Sequence, residues 1–297
     1  MNIRVGTRGS KLALWQSEYV IAEMKKQHPE YTYEIVIIKT KGDRIQNVSL
    51  DKIGDKGLFV KEIETQLLEG LIDLAVHSMK DMPSSIPPGL TFSKSLKRED
   101  ARDVLILKEC QNLAKLPPGA RIGTGSKRRA IQLKKLRPDL TIVDIRGNLD
   151  TRLQKMRTED YDGIVLAAAG LKRLGLESVI TSYFSVEEMI PASAQGTLAI
   201  EVREDRSELL EFLNQIGDET TEQCVSCERA FLKAIDGSCH IPVGAHCIRQ
   251  SDGYILYAIY GDEERSESCV EVGADPVALG ILAAEKLKGA MGHRYGR

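Results

Sequence analysis

Six arginines share one kind of position in this chain: Arg8, Arg128, Arg129, Arg146, Arg152 and Arg173 each fall at the end of an expected strand or the start of the helix after it. In an open α/β sheet that edge is where ligands bind. A guanidinium donates two parallel, charge-assisted hydrogen bonds to a carboxylate, each worth roughly 1.5–3 kcal/mol, so the set describes a holder for a polycarboxylate. Any one of them alone reads equally well as a surface charge. The segment His77-Ser-Met-Lys-Asp81-Met-Pro83 closes an apolar run and brings Lys80 and Asp81 to the same edge, where a carboxylate stabilises a developing cation and handles a proton. From spacing alone, a Lys–Asp surface pair in a turn before Pro83 is the plainer reading. Cys239, in Asp236-Gly-Ser-Cys-His-Ile-Pro-Val-Gly244, sits in a turn whose freedom and exposure suit a reactive thiol, with His240 beside it to assist ionisation. A zinc reading draws on Cys224, Cys227, Cys239, His240, His246 and Cys247. It is set aside because Cys224-x-x-Cys227 falls on an expected helix and no second such pair completes the pattern, so no metal is expected.

The elements that must position these groups come in two similar sets. Arg4-Val-Gly-Thr-Arg-Gly-Ser-Lys-Leu-Ala13 is echoed by Arg121-Ile-Gly-Thr-Gly-Ser-Lys-Arg-Arg-Ala130, each a short apolar strand, a Gly-Thr turn and a Ser placed to cap a helix. Asp73-Leu-Ala-Val-His-Ser-Met-Lys-Asp81 is echoed by Asp162-Gly-Ile-Val-Leu-Ala-Ala-Ala-Gly170. The pattern predicts strands Ile3–Thr7, Tyr33–Lys39 and Leu74–His77 with helices Ser10–Gln27 and Val60–Glu69, a β/α alternation implying a mostly parallel sheet. It repeats as strands Arg121–Thr124, Thr141–Asp144 and Gly163–Leu166, with helices near Lys127–Leu136 and Leu149–Arg157. A third segment from about Gly217 reads as a small α+β domain with helix Thr221–Ala234, strands Ala245–Gln250 and Tyr254–Tyr260, and helix Pro276–Lys288. Lys97–Arg102 and Tyr183–Ser193 are candidate crossings between domains. Lys52, Lys56 and Phe59 lie in a Gly-rich stretch that reads as a mobile flap.

At 297 residues and 42% hydrophobic, the chain is long enough for two or three domains with sizeable cores. A formal net charge of −2 makes the basic residues a local concentration in a balanced protein, which suits a small acidic ligand and argues against nucleic acid. No basic-then-apolar leader opens the sequence, and its longest apolar run is too short to span a bilayer. A cytoplasmic protein with no membrane partner is expected, and few cysteines for its length argue against disulfides. No dinucleotide or phosphate-loop motif appears.

In order along the chain, Gly6-Thr-Arg-Gly-Ser-Lys-Leu-Ala-Leu-Trp-Gln16, Gly54-Asp-Lys-Gly-Leu-Phe-Val-Lys-Glu62, Ala75-Val-His-Ser-Met-Lys-Asp-Met-Pro83, Ser126-Lys-Arg-Arg129, Asp144-Ile-Arg-Gly-Asn148, Ala169-Gly-Leu-Lys-Arg-Leu-Gly175 and the cysteine turn resemble the blocks of the porphobilinogen deaminase, or hydroxymethylbilane synthase, family. The resemblance implies an α/β fold of two domains like type-two periplasmic binding proteins plus a small α+β C-terminal domain. The implied boundaries are 1–97 with about 197–215, then 102–190, then 217–297. It implies a transferase of haem biosynthesis that joins four porphobilinogen molecules head to tail, each losing ammonia, on a covalent dipyrromethane primer, and frees the linear tetrapyrrole hydroxymethylbilane with water. By the same resemblance Asp81 is the catalytic carboxylate, which overturns the plainer reading of that turn, and Cys239 carries the dipyrromethane cofactor through a thioether. Lys80, Thr124, Ser126, Arg128, Arg129, Arg146 and Gln195 are implied as cofactor-binding, and Arg8, Ser10, Arg146, Arg152 and Arg173 as substrate-binding. Lys52, Lys56 and Phe59 are implied on a mobile loop, and the protein as a monomer. Three residues depart from the family's usual pattern: Ala194 stands where Gly is usual, Gly125 where Ser is, and Lys127 where Leu is. The competing expectation is a non-catalytic two-domain protein that binds or senses a polycarboxylate.

Overall fold

The computed structural model describes residues 1–41, 60–109, 111–236, 241–262 and 264–292. The chain divides into two compact units, Met1–Glu99 with Thr197–Glu222, and Asp100–Gly196 with Gln223–Arg297.

In the first unit, strand β1 (Asn2–Thr7) leads through a turn into helix α1 (Lys11–Gln27), and Ser10 caps that helix by accepting from Ala13 N at 3.2 Å. Strand β2 (Thr32–Ile37), helix α2 (Lys61–Leu68) and strand β3 (Leu74–Ser78) follow, then β4 (Leu90–Phe92). The second unit begins with β5 (Asp103–Leu107) and repeats the plan: β6 (Arg121–Gly123), α3 (Lys127–Leu136), β7 (Thr141–Val143), α4 (Leu149–Thr158), β8 (Gly163–Ala167), α5 (Ala168–Arg173) and β9 (Ser182–Tyr183). The chain then returns to the first unit as β10 (Leu198–Arg203) and helix α6 (Ser207–Gln215).

Helix α7 (Glu219–Ala234) begins the third segment, followed by strands β11 (Val243–Gln250), β12 (Gly253–Gly261) and β13 (Ser266–Gly273) and helix α8 (Pro276–Gly292). These three strands form an antiparallel sheet. Its core brings Phe231 of α7 against Leu256 and Ala258 of β12 and Ala283 and Leu287 of α8.

The repeat read from sequence holds at the level of single hydrogen bonds. Arg4 N donates to Asp73 Oδ2 at 2.9 Å and Arg4 O accepts from Asp73 N; in the second unit Arg121 N donates to Asp162 Oδ2 at 2.7 Å and Arg121 O accepts from Asp162 N. The aspartate just before β3 therefore stitches β1 to it, and the aspartate just before β8 stitches β6 to it in the same way. The two five-stranded sheets also share one order, β2-β1-β3-β10-β4 and β7-β6-β8-β5-β9.

The expectation of mostly parallel sheets holds for strand direction, with one strand reversed in each sheet. Strands β2, β1, β3 and β4 run one way with β10 reversed between β3 and β4, and β7, β6, β8 and β9 run one way with β5 reversed between β8 and β9. In each case the antiparallel strand is the first one made after the chain crosses from the other unit, so a pattern that assumed sequential β/α units could not see it. Both faces of each sheet are covered, which explains why β3, β5, β8 and β10 read as continuous apolar runs with little alternation.

Candidate active site

The first unit gathers its polar groups at the carboxyl end of its parallel strands. Arg8 lies one residue beyond β1, half-buried, and Ser10 caps α1. Gln16 of α1 donates to Ser78 Oγ at 3.1 Å, fixing that helix to the end of β3. There a single 3-10 turn, Met79–Asp81, is closed by Met82 N donating to Met79 O at 3.1 Å, and Met79 N donates to Thr197 O at the start of β10. Met79 and Met82 are buried anchors, which leaves Lys80 half-buried and Asp81 exposed. The turn thus presents a carboxylate outward from a fixed base.

Behind that turn lies a buried polar pair that no local sequence signal marks. His77 Nε2 and Glu201 Oε2 are 3.2 Å apart, both residues buried. Burial, with the nearby Glu201 charge, raises the pKa of Glu64 on α2. Among the described residues, neither Glu201 Oε1 nor Glu64 Oε1, both buried, has a hydrogen-bond partner.

The second unit builds the matching edge from arginines. Thr124 Oγ1 accepts from Ser126 N at 3.2 Å, and Ser126 Oγ accepts from Arg129 N at 3.4 Å, so the two hydroxyls shape the start of α3. Arg128 and Arg129, which follow immediately, are buried and converge on Asp103, the first residue of β5. Arg128 Nη1 donates to Asp103 Oδ2 and Arg129 Nη2 to Asp103 Oδ1, each at 2.7 Å. Burial alone would raise the Asp103 carboxyl, but Arg128 and then Arg129 hold it well below the usual range; burial in turn lowers Arg128. Two guanidinium groups on one carboxylate leave a net positive charge in a buried position.

Gln195 joins this group. Its Nε2 donates to Ala101 O at 2.7 Å and to Asp103 Oδ1 at 2.9 Å, tying together the two segments by which the chain crosses between units. Arg146 Nε donates to Asp144 Oδ2 at 3.0 Å, Arg152 Nε donates to Gly147 O at 2.9 Å, and buried Arg173 donates from Nη2 to Gly196 O at 2.6 Å. Thr124, Ser126, Arg128, Arg129, Arg146 and Arg152 lie past the ends of β6 and β7 or in the first turn of the helix that follows, whereas Arg173, expected at a helix start, is the last residue of the short helix α5 and reaches back to Gly196 from there. The unforeseen element is Asp103. The one signal available was a charged residue opening the apolar run Val104-Leu-Ile-Leu107 straight after a charged crossing.

The departure at Gly125 lies beside Asp144. A Cβ there would come within 2.8 Å of Asp144 Oδ1, the tip of an exposed side chain that a serine would turn aside. Lys52, Lys56, Phe59, Cys239 and His240 lie outside the described residues. Cys224, Cys227 and Cys247 are buried in the third sheet's core. Although a hydrogen bond with Cys224 acts to lower it, contact with Cys227 and burial push the Cys247 thiol up. No three His, Cys, Asp or Glu side chains among the described residues are grouped to hold a metal ion.

The two α/β sheets thus share one topology, and at the carboxyl edge of their strands one presents a carboxylate and the other a cluster of arginines. Residues 3–211 match the family model "Porphobilinogen deaminase, dipyromethane cofactor binding domain", and residues 222–289 match "Porphobilinogen deaminase, C-terminal domain". The chain belongs to the porphobilinogen deaminase family. It is 60% identical over 290 residues to a porphobilinogen deaminase of Clostridioides difficile (strain 630), covering 96% of each chain. It is 53% identical over 292 residues to that of Lachnospira eligens, covering 97% of this chain and 99% of the relative. Similar solved structures include a methionine binding protein, MetQ (TM-score 0.47, 14% identity, 77% of this chain and 94% of that one), and the periplasmic VFT2 domain of Bordetella pertussis BvgS (TM-score 0.44, 13% identity, 77% and 92%).

Proposed function

We propose that this chain is a transferase that condenses four porphobilinogen molecules head to tail, with loss of ammonia, and releases hydroxymethylbilane by hydrolysis, with Asp81 as its catalytic carboxylate. The observation that carries the assignment is the turn after β3, which sets Asp81 outward at the same sheet edge as Arg8 and Ser10. Departure of ammonia from the aminomethyl carbon of porphobilinogen leaves positive charge spread onto the pyrrole nitrogen. A fixed carboxylate there stabilises that cation through its charge and its hydrogen bond to the pyrrole N–H. Asp81 also holds the proton that must leave the pyrrole carbon once the new bond has formed.

The cofactor implied by the family is a dipyrromethane joined to Cys239. Buried Arg128 and Arg129 fit such a group, because the pair carries one more positive charge than Asp103 neutralises, and a carboxylate is the chemical complement of that excess. When bound, the dipyrromethane supplies the terminal pyrrole carbon that attacks. Lys80, Thr124, Ser126, Arg128, Arg129, Arg146 and Gln195 would hold its acetate and propionate groups. Arg8, Ser10, Arg146, Arg152 and Arg173 would hold and orient those of the substrate.

We further read the chain as three working domains, 1–97 with about 197–215, 102–190 and 217–297, acting as a cytoplasmic monomer without nucleic-acid or membrane partners. No helix among the described residues is long and apolar enough to cross a membrane.

The test is the intact mass of the denatured protein with mapping of the Cys239 peptide, followed by incubation with porphobilinogen. An added mass of two linked pyrroles on Cys239, with ammonia and hydroxymethylbilane released, is the expected result. Reconstituted protein that binds porphobilinogen and releases neither product would leave only a binding protein and overturn the proposal.

A further inference from the structure

The second crossing, residues 191–196, is held at several of its polar groups. Gln132 accepts from Ile190 N at 2.8 Å and donates to Ile190 O, to which Arg128 also donates. Gln195 is bound to Ala101 and Asp103, and Gly196 O accepts from Arg173. Ala194 N is bound by Glu228 of helix α7, whose Oε2 accepts from it at 2.5 Å. Glu228 is fully buried, and its other oxygen, Oε1, accepts from Cys247 N of β11 at 2.7 Å. Nearby, Gly244 of β11 lies so close to the crossing that a Cβ would come within 2.4 Å of Pro191 O.

Ala194 has φ +59°, in the left-handed region that costs free energy for any residue with a Cβ. The family's usual glycine would hold that conformation without strain. This chain has Ala there, and its amide is held by a buried carboxylate from the third sheet's helix.

We propose that Glu228 is a positioning residue for the reaction: it clamps Ala194 in the left-handed conformation and so fixes the crossing that leads into β10, the strand beside β3 and its Asp81 turn. The same side chain holds β11, so one carboxylate ties the crossing to the third segment. The inference rests on the deaminase reading.

The experiment compares the parent, Glu228→Gln, Ala194→Gly and the double variant. Each is checked by intact mass for its primer, then assayed with porphobilinogen and by amide exchange over residues 190–197. Gln keeps the shape but can accept from only one of the two amides. In Glu228→Gln, exchange in that segment should quicken at least ~10-fold and kcat fall about 10-fold at an unchanged KM. Adding Ala194→Gly should bring kcat back to within about 2-fold of the parent, because glycine reaches the conformation without the clamp. A role confined to packing the third sheet would leave the double variant as slow as Glu228→Gln, and that result overturns the proposal, as does full activity in Glu228→Gln. Should Glu228→Gln not fold, the parent decides: exchange over 190–197 more than about 10-fold faster than in β5 rules out a clamped crossing. A parent that makes no hydroxymethylbilane would sink the deaminase reading, while the exchange data still judge the clamp.

Discussion

The two strands that enter each sheet straight after a crossing, β5 and β10, occupy the same place in matching sheets but bury their charge at different depths. Asp103 of β5 stands opposite Ala167, the last residue of β8, so its carboxylate lies at the sheet edge beside the arginines. Glu201 of β10 stands opposite Ala75, near the start of β3, three registers away from that edge, and pairs with His77. At the position equivalent to Asp103, β10 has Leu198, opposite Ser78. One half thus uses its buried carboxylate to organise cations at the binding edge. The other sets its ionic group deeper in the sheet and leaves the edge to an outward-facing aspartate. The same backbone plan accommodates a buried carboxylate at two depths, three residues apart along the inserted strand.

The sharpest way to break this comparison is Asp103→Asn. It leaves two buried guanidinium groups without a charge partner, and we expect a loss of about 3–5 kcal/mol in denaturant unfolding. Because the folded-state carboxyl is held below its unfolded value of 3.8, the parent should keep this advantage above about pH 3.8 and lose it only as pH falls further, toward the folded-state value. An unchanged midpoint in the variant would mean that the arginines do not depend on Asp103.

Asp81→Asn should show the converse. With Asp81 exposed, stability should be near that of the parent, while turnover of porphobilinogen falls by roughly 10²–10³ and the primer mass stays on the protein. Normal turnover would place the chemistry elsewhere.

The helix caps test whether the repeat is energetic as well as geometric. Ser10→Ala and Ser126→Ala should each cost about 1 kcal/mol, and similar losses in thermal melts would support equal roles. A negligible effect at one of them would show that the halves share geometry alone.

The smallest effect belongs to Glu64→Gln. Burial and Glu201 raise the Glu64 carboxyl above its ordinary 4.5, so the parent is relatively favoured when Glu64 is protonated and loses that advantage as pH rises through the raised value. The variant should therefore gain on the parent above about pH 4.5, which melts across pH can detect.

Much of this was legible in the residues. The Gly-Thr-x-Ser turns announced strand-to-helix transitions, and β1, β3, β6 and β8 lie within a residue of their expected ends because each is a short apolar run bounded by turn or capping residues. Helix α3 begins and ends where expected. Strands β5 and β10 were not legible, since nothing local says that an apolar run will pair with a strand on the far side of a crossing. For the same reason Asp103 and Glu228 stayed hidden: their roles come from partners distant in sequence, such as Arg128 for one and Ala194 with Cys247 for the other. Arg128 and Arg129 were read as ligand holders, and their shared contact with Asp103 adds an internal role that spacing could not disclose.

The inserted strand β10 also bears on how the chain is made. Strand β4 bonds to no strand of its sheet except β10, so after Phe92 leaves the ribosome it has no neighbour until Leu198–Arg203 has been synthesised. Through that interval, several seconds at roughly 5–20 residues per second, β3 also presents an open edge where β10 will later insert. The nascent first unit is a sheet waiting for its interior, fifth-made strand, with an unpaired edge on β3 open to other strands until β10 arrives.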